Sequence, residues 1–412
     1  MKLSTLWEWL NYIHSIHPSQ IELGLDRVKK VARRLGVLTF DVPIIIVGGT
    51  NGKGSTVHAL EAIYNASGLN TGMFNSPYLI QYNEVIRIKG KIVRDDELIH
   101  AFQTIEEARK DVLLTPFEFG TLAALVIFKS YNLDVLILEV GLGGRLDAVN
   151  ILDADLAIIT NVDMDHMEWL GSTREAIALE KAGIIRKNKP LVCGDLNSPY
   201  SLIKKAYDLN VPLHIRKQSF HHQKYENNWA WNDGKNEINQ LPLPSLALKN
   251  MANVLMAVHL LQLQLPVSYK AIHQGLMDVK LPGRIEIIKD SCTKIYDVSH
   301  NPHAIAHLAK NIKELPCIGK TYALFSMLMD KDRIGSMRAI MQEIDHWFVA
   351  PLETERATPI ELLKKNFEQL NITSVNFYSS ISKAYEELMK KTAHHDRVII
   401  FGSFHTVSSC MR

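Results

Sequence analysis

Cysteine is scarce: four residues, at 193, 292, 317 and 410, in a chain of 412. None forms a Cys-x-x-Cys pair, which argues against a thiolate zinc site, and a chain of this length is not built on a disulfide framework. An excess of one charge is also missing. The 46 basic and 44 acidic residues leave a formal net charge of +2. Nothing there calls for a nucleic-acid or membrane partner, although a basic pocket for an anionic small molecule stays open. No uninterrupted apolar run is long enough to span a membrane. There is no internal repeat and no low-complexity tract. The opening residues do not read as a signal peptide. Leu3, Leu6, Trp7, Leu10 and Ile13 recur at helical spacing with Glu8 and Asn11 between them, predicting an amphipathic helix. These absences point to a soluble protein of the reducing cytoplasm.

Hydrophobic residues make up 47% of the chain and charged residues 22%, and 412 residues exceed what one core usually serves, so two domains are expected. Apolar runs of strand length alternate with helical stretches. "PIIIVGG" precedes a helix from about residue 55, "DVLILEVGLGG" follows the helical "FEFGTLAALVIFKSYN", and "DLAIITNVD" precedes "STREAIALEKAGII". Continuous apolar runs suggest strands buried on both faces of a parallel sheet. Residues 211–245 are polar, with Asp-Gly at a turn position, and predict a small antiparallel excursion. The strand–helix rhythm restarts after Lys289 with "TKIYDVSH". The expected fold is therefore α/β, with a mostly parallel sheet domain over 1–289 and a smaller α/β domain over 290–412.

Between the first buried run and its helix lies Gly49-Thr50-Asn51-Gly52-Lys53-Gly54-Ser55-Thr56. Glycines admit positive φ and close backbone approach, and consecutive N–H groups at a helix N-terminus favour an anion. Lys53 would meet β- and γ-phosphates, and Ser55 or Thr56 would reach a magnesium ion. The loop is a variant: Val47 stands where the strict P-loop has glycine, and Gly54 intervenes between lysine and hydroxyl. Glu139 closes a predicted buried strand, where α/β proteins gather ligands, and could hold magnesium or be a paired structural acid. "TNVDMDHMEWLG" ends another strand with Asp163, Asp165, His166 and Glu168. Lys181, on a predicted helix, has the local pattern of a solvated residue.

"GGTNGKGST", "SPYL", "EVGLGGRLDAVN", "DHMEWLG", "EKAGII", "LPGR", "DVSHNP", "DKD" and "GSFHT" follow one another from about residue 3 to the C-terminus. This ordered set resembles the folylpolyglutamate synthase/dihydrofolate synthase family within the Mur-ligase-like ATP-dependent amide ligases, and is most similar to its bacterial bifunctional form. The resemblance implies a P-loop-type first domain and a Rossmann-like glutamate-ligase domain. It implies that Thr50, Asn51, Gly52, Lys53, Gly54 and Ser55 bind ATP with Asn250, Arg284 and Asp297. It implies two Mg2+ sites drawn from Ser55, Ser76, Glu139, His166 and Lys181, the lysine carrying CO2 as a carbamate. The pterin would meet Glu22 and Leu23, then Thr115, Pro116, Phe117 and Glu118, then Leu146, Asp147 and Ala148. Phe117 could equally be a core aromatic. His300 and Ser403 match positions near L-glutamate, with His300 a candidate for orienting the attacking amine or accepting its proton. Tyr78 and Ser299 depart from the family's usual histidine and alanine, beside expected ligands.

The implied reaction uses ATP to phosphorylate the carboxylate of dihydropteroate or of a tetrahydrofolate, after which the amine of L-glutamate displaces phosphate. Lys53, Lys181, His166 and His300 are the catalytic candidates, and the family is generally monomeric. A monofunctional folylpolyglutamate synthase is the nearest rival. A Mur-type peptidoglycan ligase would need an N-terminal uridine-nucleotide domain, which the position of Gly49 leaves no room for. A catalytically silent nucleotide-binding regulator would not need Lys53, Glu139, His166 and Lys181 together.

Overall fold

The computed structural model describes residues 3–19 and 21–411. The chain divides into two compact units, Met1–Lys280 and Leu281–Arg412. The division falls before the strand Glu286–Lys289 rather than after Lys289, because that strand pairs antiparallel with Thr293–Asp297 of the second unit.

The first unit is built on eight strands in the order Lys91–Ile92, Ile86–Ile88, Thr71–Phe74, Val135–Glu139, Ile44–Gly48, Leu156–Ile159, Leu191–Cys193 and Leu213–Ile215. The six from Thr71–Phe74 onward run parallel, and the first two join antiparallel at one edge. The central strands are buried along their whole length, which is why "PIIIV" and "DVLILE" read as unbroken apolar runs. Register places Val47 beside Glu139 and Gly48 beside Ile159. The segments that follow these three strands therefore leave the sheet side by side.

The polar stretch after residue 211 contains a separate antiparallel sheet of His221–Lys224, Asn228–Asn232 and Glu237–Pro242. Its middle strand buries Trp229 and Trp231 almost completely. Trp231 Nε1 donates to the Ala252 carbonyl at 3.2 Å, fixing this sheet to helix Leu248–Leu260, which carries Asn250.

The first helix forms as expected, over Leu6–Ile16, with Thr5 and Glu8 closing a capping box. Its inward face differs from the predicted one. Trp7 is 73% exposed, while Trp9 is buried and tilted on Phe102 at 5.9 Å. Trp9 shares a face with Ile13 at helical spacing, whereas Trp7 falls on the flank.

In the second unit the order is Glu286–Lys289, Thr293–Asp297, Arg397–Phe401, Thr321–Phe325, His346–Val349 and Val375–Phe377, all parallel after the first pair. Phe325, Trp347 and Phe401 fill its core against Phe367.

Candidate active site

Strand Ile44–Gly48 runs into the glycine loop, and helix Lys53–Ala66 begins immediately after it. Gly52 caps that helix at φ +88°, and a Cβ there would lie 2.6 Å from Asn250 Nδ2. Only glycine satisfies both constraints, and the contact brings Asn250 against the loop. The loop is stapled to the neighbouring strand end. Asn51 N donates to Asn161 Oδ1 at 2.8 Å, Thr160 Oγ1 to the Asn51 carbonyl at 2.7 Å, and Asp163 N to Thr50 Oγ1 at 3.0 Å. Ser55 is buried in the helix's first turn.

Two ammonium groups converge on this loop. Lys53 Nζ donates to the Gly49 and Thr50 carbonyls, each at 3.2 Å, and Lys181 Nζ donates to the Gly49 carbonyl at 3.0 Å. Lys181 is not the solvated residue its local pattern suggested; it is 4% exposed. Burial, reinforced by the nearby Lys53 charge, pulls its pKa down to about 7, with Asp165 and Asp147 opposing the shift. Asp147 moves the other way. Burial raises its carboxyl to about 7 although it accepts from Leu142 N at 2.8 Å and Val149 N at 3.1 Å.

The position of Lys181 is set by a close docking of two segments. A Cβ on Gly183 would come within 2.7 Å of Arg145 N and closer still to Arg145 Cα and Cβ. Arg145 N donates to the Glu180 carbonyl at 2.8 Å, and Asn150 Nδ2 bridges the carbonyls of Arg145 and Gly183. The loop bearing Asp147 and the helix Arg174–Lys181 are thus locked face to face. Gly183→Ala is expected to cost about 1–3 kcal/mol, the usual size of overpacking. An unchanged urea midpoint would show that the docking yields more readily than its geometry implies.

Glu139 ends its strand 4% exposed, and its Oε2 lies 3.5 Å from Ser76 N. His166 adopts φ +50° at the head of the short helix Met167–Leu170, its Nε2 3.9 Å from Asp165 Oδ2. Among the described residues no trio of His, Cys, Asp or Glu is grouped as a metal centre. A cation here would take a mixed set: the Ser76 hydroxyl, the Glu139 carboxylate and the His166 imidazole. Oxygen donors with one imidazole suit a hard divalent ion.

The segments expected at the pterin are partly joined. Thr115 and Glu118 form a capping box, Glu118 Oε2 accepting from Thr115 N at 2.8 Å, so helix Pro116–Lys129 starts with Glu118 turned back onto its own end. Phe119 is core, while Phe117 is partly buried, packs 5.8 Å from Phe74 and abuts Gly141. Glu22 is linked to Glu118 through Arg27. Leu23 and Leu146 are partly buried, and Ala148 opens the turn capped by Asp147.

Within the second unit, Asp297 closes its strand and accepts from Ile285 N and Ser299 N, both at 2.9 Å. Ile285 is held at φ +49°, an unusual conformation for a β-branched residue. Arg284 lies over the Phe404 ring at 5.2 Å, and His300 packs on the same ring at 6.2 Å. Ser403 is buried, and its hydroxyl accepts from Thr406 N at 2.9 Å.

Two contributors lay outside the expected site: Asn161, which staples the loop, and Arg27; Asp165, singled out with His166, opposes the fall in the Lys181 pKa. The Thr115-x-x-Glu118 spacing signals its capping box directly, but nothing local signals the others.

The sequence pattern of the Mur ligase middle domain matches residues 47–261, and that of the Mur ligase glutamate ligase domain matches 283–404. The chain is 40% identical over 408 residues to the dihydrofolate synthase/folylpolyglutamate synthase of Escherichia coli K12, covering 99% of this chain and 95% of that one. It is similar to E. coli FolC in complex with DHPP and ADP, with a TM-score of 0.94, 40% identity and coverage of 99% and 97%. It is also similar to a bifunctional folylpolyglutamate synthase/dihydrofolate synthase with Mn, AMPPNP and L-glutamate bound, with a TM-score of 0.93, 42% identity and coverage of 99% and 97%.

Proposed function

The chain belongs to the dihydrofolate synthase/folylpolyglutamate synthase family of Mur-type ligases, and from that premise we propose how its own residues carry the reaction. The protein is an ATP-dependent ligase that joins L-glutamate to dihydropteroate and to the terminal γ-carboxyl of folates through an acyl phosphate. The observation that carries the residue assignment is the meeting of Lys53 and Lys181 on the Gly49 carbonyl, at the row of strand ends that also presents Glu139.

A carboxylate is a poor acylating agent because oxide would have to leave. Phosphorylation supplies a better leaving group, and phosphoryl transfer asks for positioning and charge neutralisation more than covalent help. The loop N–H groups and Lys53 receive the triphosphate, with Ser55 at the helix start and Asn250 beside Gly52. Arg284 can fork onto phosphate oxygens, and Asp297 suits a ribose hydroxyl. Ser76, Glu139 and His166 would hold a divalent ion, which would supply charge neutralisation to the transferring group. A second ion and a carbamate on Lys181 complete this reading. The low pKa of Lys181 supports the carbamate, since CO2 adds only to a neutral amine. The glutamate amine must also be unprotonated to attack, and His300 is the candidate to orient it or accept its proton. In this scheme the N-terminal unit serves the ATP phosphates and the pterin acid, and the C-terminal unit carries Arg284 and Asp297 for ATP and His300 and Ser403 for L-glutamate. Four free cysteines fit a reducing cytoplasm, and among the described residues no helix is long and apolar enough to cross a membrane.

Purified protein with MgATP and L-glutamate, offered dihydropteroate or tetrahydrofolate separately, should yield a glutamylated product from each by mass spectrometry. Phosphate release should require both glutamate and the pterin acid. Product from tetrahydrofolate alone would reduce the protein to a monofunctional folylpolyglutamate synthase.

A further inference from the structure

At the start of helix Asp26–Leu35, Arg27 gathers two carboxylates that the scheme above leaves unexplained as a pair. Its Nη1 donates to the Glu22 carboxylate, and its Nη2 donates to the Glu22 carbonyl at 2.9 Å and to Glu118 Oε1 at 3.2 Å. The Glu118 side chain is 3% exposed and the Glu22 side chain 48%. Glu22 also meets His17 Nε2 at 3.1 Å. Arg27 Nε is buried without a hydrogen-bond partner.

Stability alone is a poor reason for this arrangement. Taking charged groups out of water is costly even when they are paired, and an orphaned donor adds to the cost. What the arrangement does accomplish is geometric. The planar guanidinium fixes the segment Glu22–Leu23 against the first turn of helix Pro116–Lys129, where Phe117 leans on Gly141. A lysine at the same place would supply charge without the fork.

We propose that Arg27 is a positioning residue for the pterin acid: by holding Glu22 and Glu118 in one fork it sets the gap between the Glu22–Leu23 segment and the Phe117 turn, into which the bicyclic ring enters. The proposal rests on the assignment of those two segments to the pterin. Arg27 touches no reacting atom, so its contribution is to binding and is felt in KM for the pterin acid.

The decisive comparison is Arg27→Lys, which keeps the charge and removes the fork, beside Phe117→Ala. For Arg27→Lys the KM for dihydropteroate should rise about tenfold, the scale of one lost charge-assisted hydrogen bond, while the KM values for ATP and L-glutamate hold. Glu22→Gln, which weakens one arm and leaves Arg27–Glu118 in place, should move the same constant in the same direction. If Arg27→Lys leaves that KM unchanged while Phe117→Ala raises it, the positioning role is overturned and the pterin assignment survives. If neither variant moves it, the assignment itself fails. An equal rise in all three KM values with a lowered Tm would mark Arg27 as a merely structural residue and also overturn the proposal.

Discussion

Lys53→Ala is expected to lower kcat by roughly 10²- to 10³-fold, the usual effect of removing one preorganised charge partner of a transition state. Lys53 rests on the carbonyls of Gly49 and Thr50, interactions confined to its own loop. Its removal should leave the fold in place, because the loop is independently stapled through Asn51, Thr50 and Thr160. A lowered kcat with an unchanged circular dichroism melt is the predicted pair of results. Near-normal turnover by the alanine variant would refute the placement of Lys53 at the phosphates.

Lys181→Met should separate activity from stability. Methionine has nearly the same shape and no charge to desolvate, so the variant should be at least as stable as the parent in CO2-free buffer near neutral pH. Activity should fall about 100-fold or more, because neither a carbamate nor its metal contact can form. The sign of the pH dependence is fixed by the depressed amine. It titrates near 10.5 when unfolded and about 7 when folded. Between those values the unfolded chain holds more protons, so the folded protein gains stability as pH rises from about 7 toward 10.5. Lys181→Met should lack that gain. Intact-mass measurement of the parent in bicarbonate should show one added CO2, absent from the variant. Full activity in Lys181→Met would remove the carbamate from the mechanism.

The phosphate loop could be read from residues alone because its cues are local: an apolar run, glycines at a turn, a lysine and a hydroxyl at a helix start. The parallel sheet was readable for the same reason, since strands buried on both faces must be apolar at every position. Lys181 was reached only through the ordered set of family motifs, not from its own surroundings. Nothing within one helical turn of it reveals that the Gly49 carbonyl, 132 residues away, meets its Nζ, and burial by distant segments, not local pattern, changed its chemistry. Trp7 and Trp9 show a similar limit, as both suit an apolar stripe and only packing against Phe102 decides between them. Arg27 was invisible because the partner that gives it meaning, Glu118, lies 91 residues away.

The contact between Gly183 and Arg145 carries a lesson for recombination among relatives. Because one backbone rests directly on the other, any chimaera that imports residues 143–150 must import 180–184 from the same parent. A crossover placed between them would join surfaces shaped for different neighbours. Libraries that keep the two stretches co-inherited should therefore contain a larger fraction of active members than libraries that divide them.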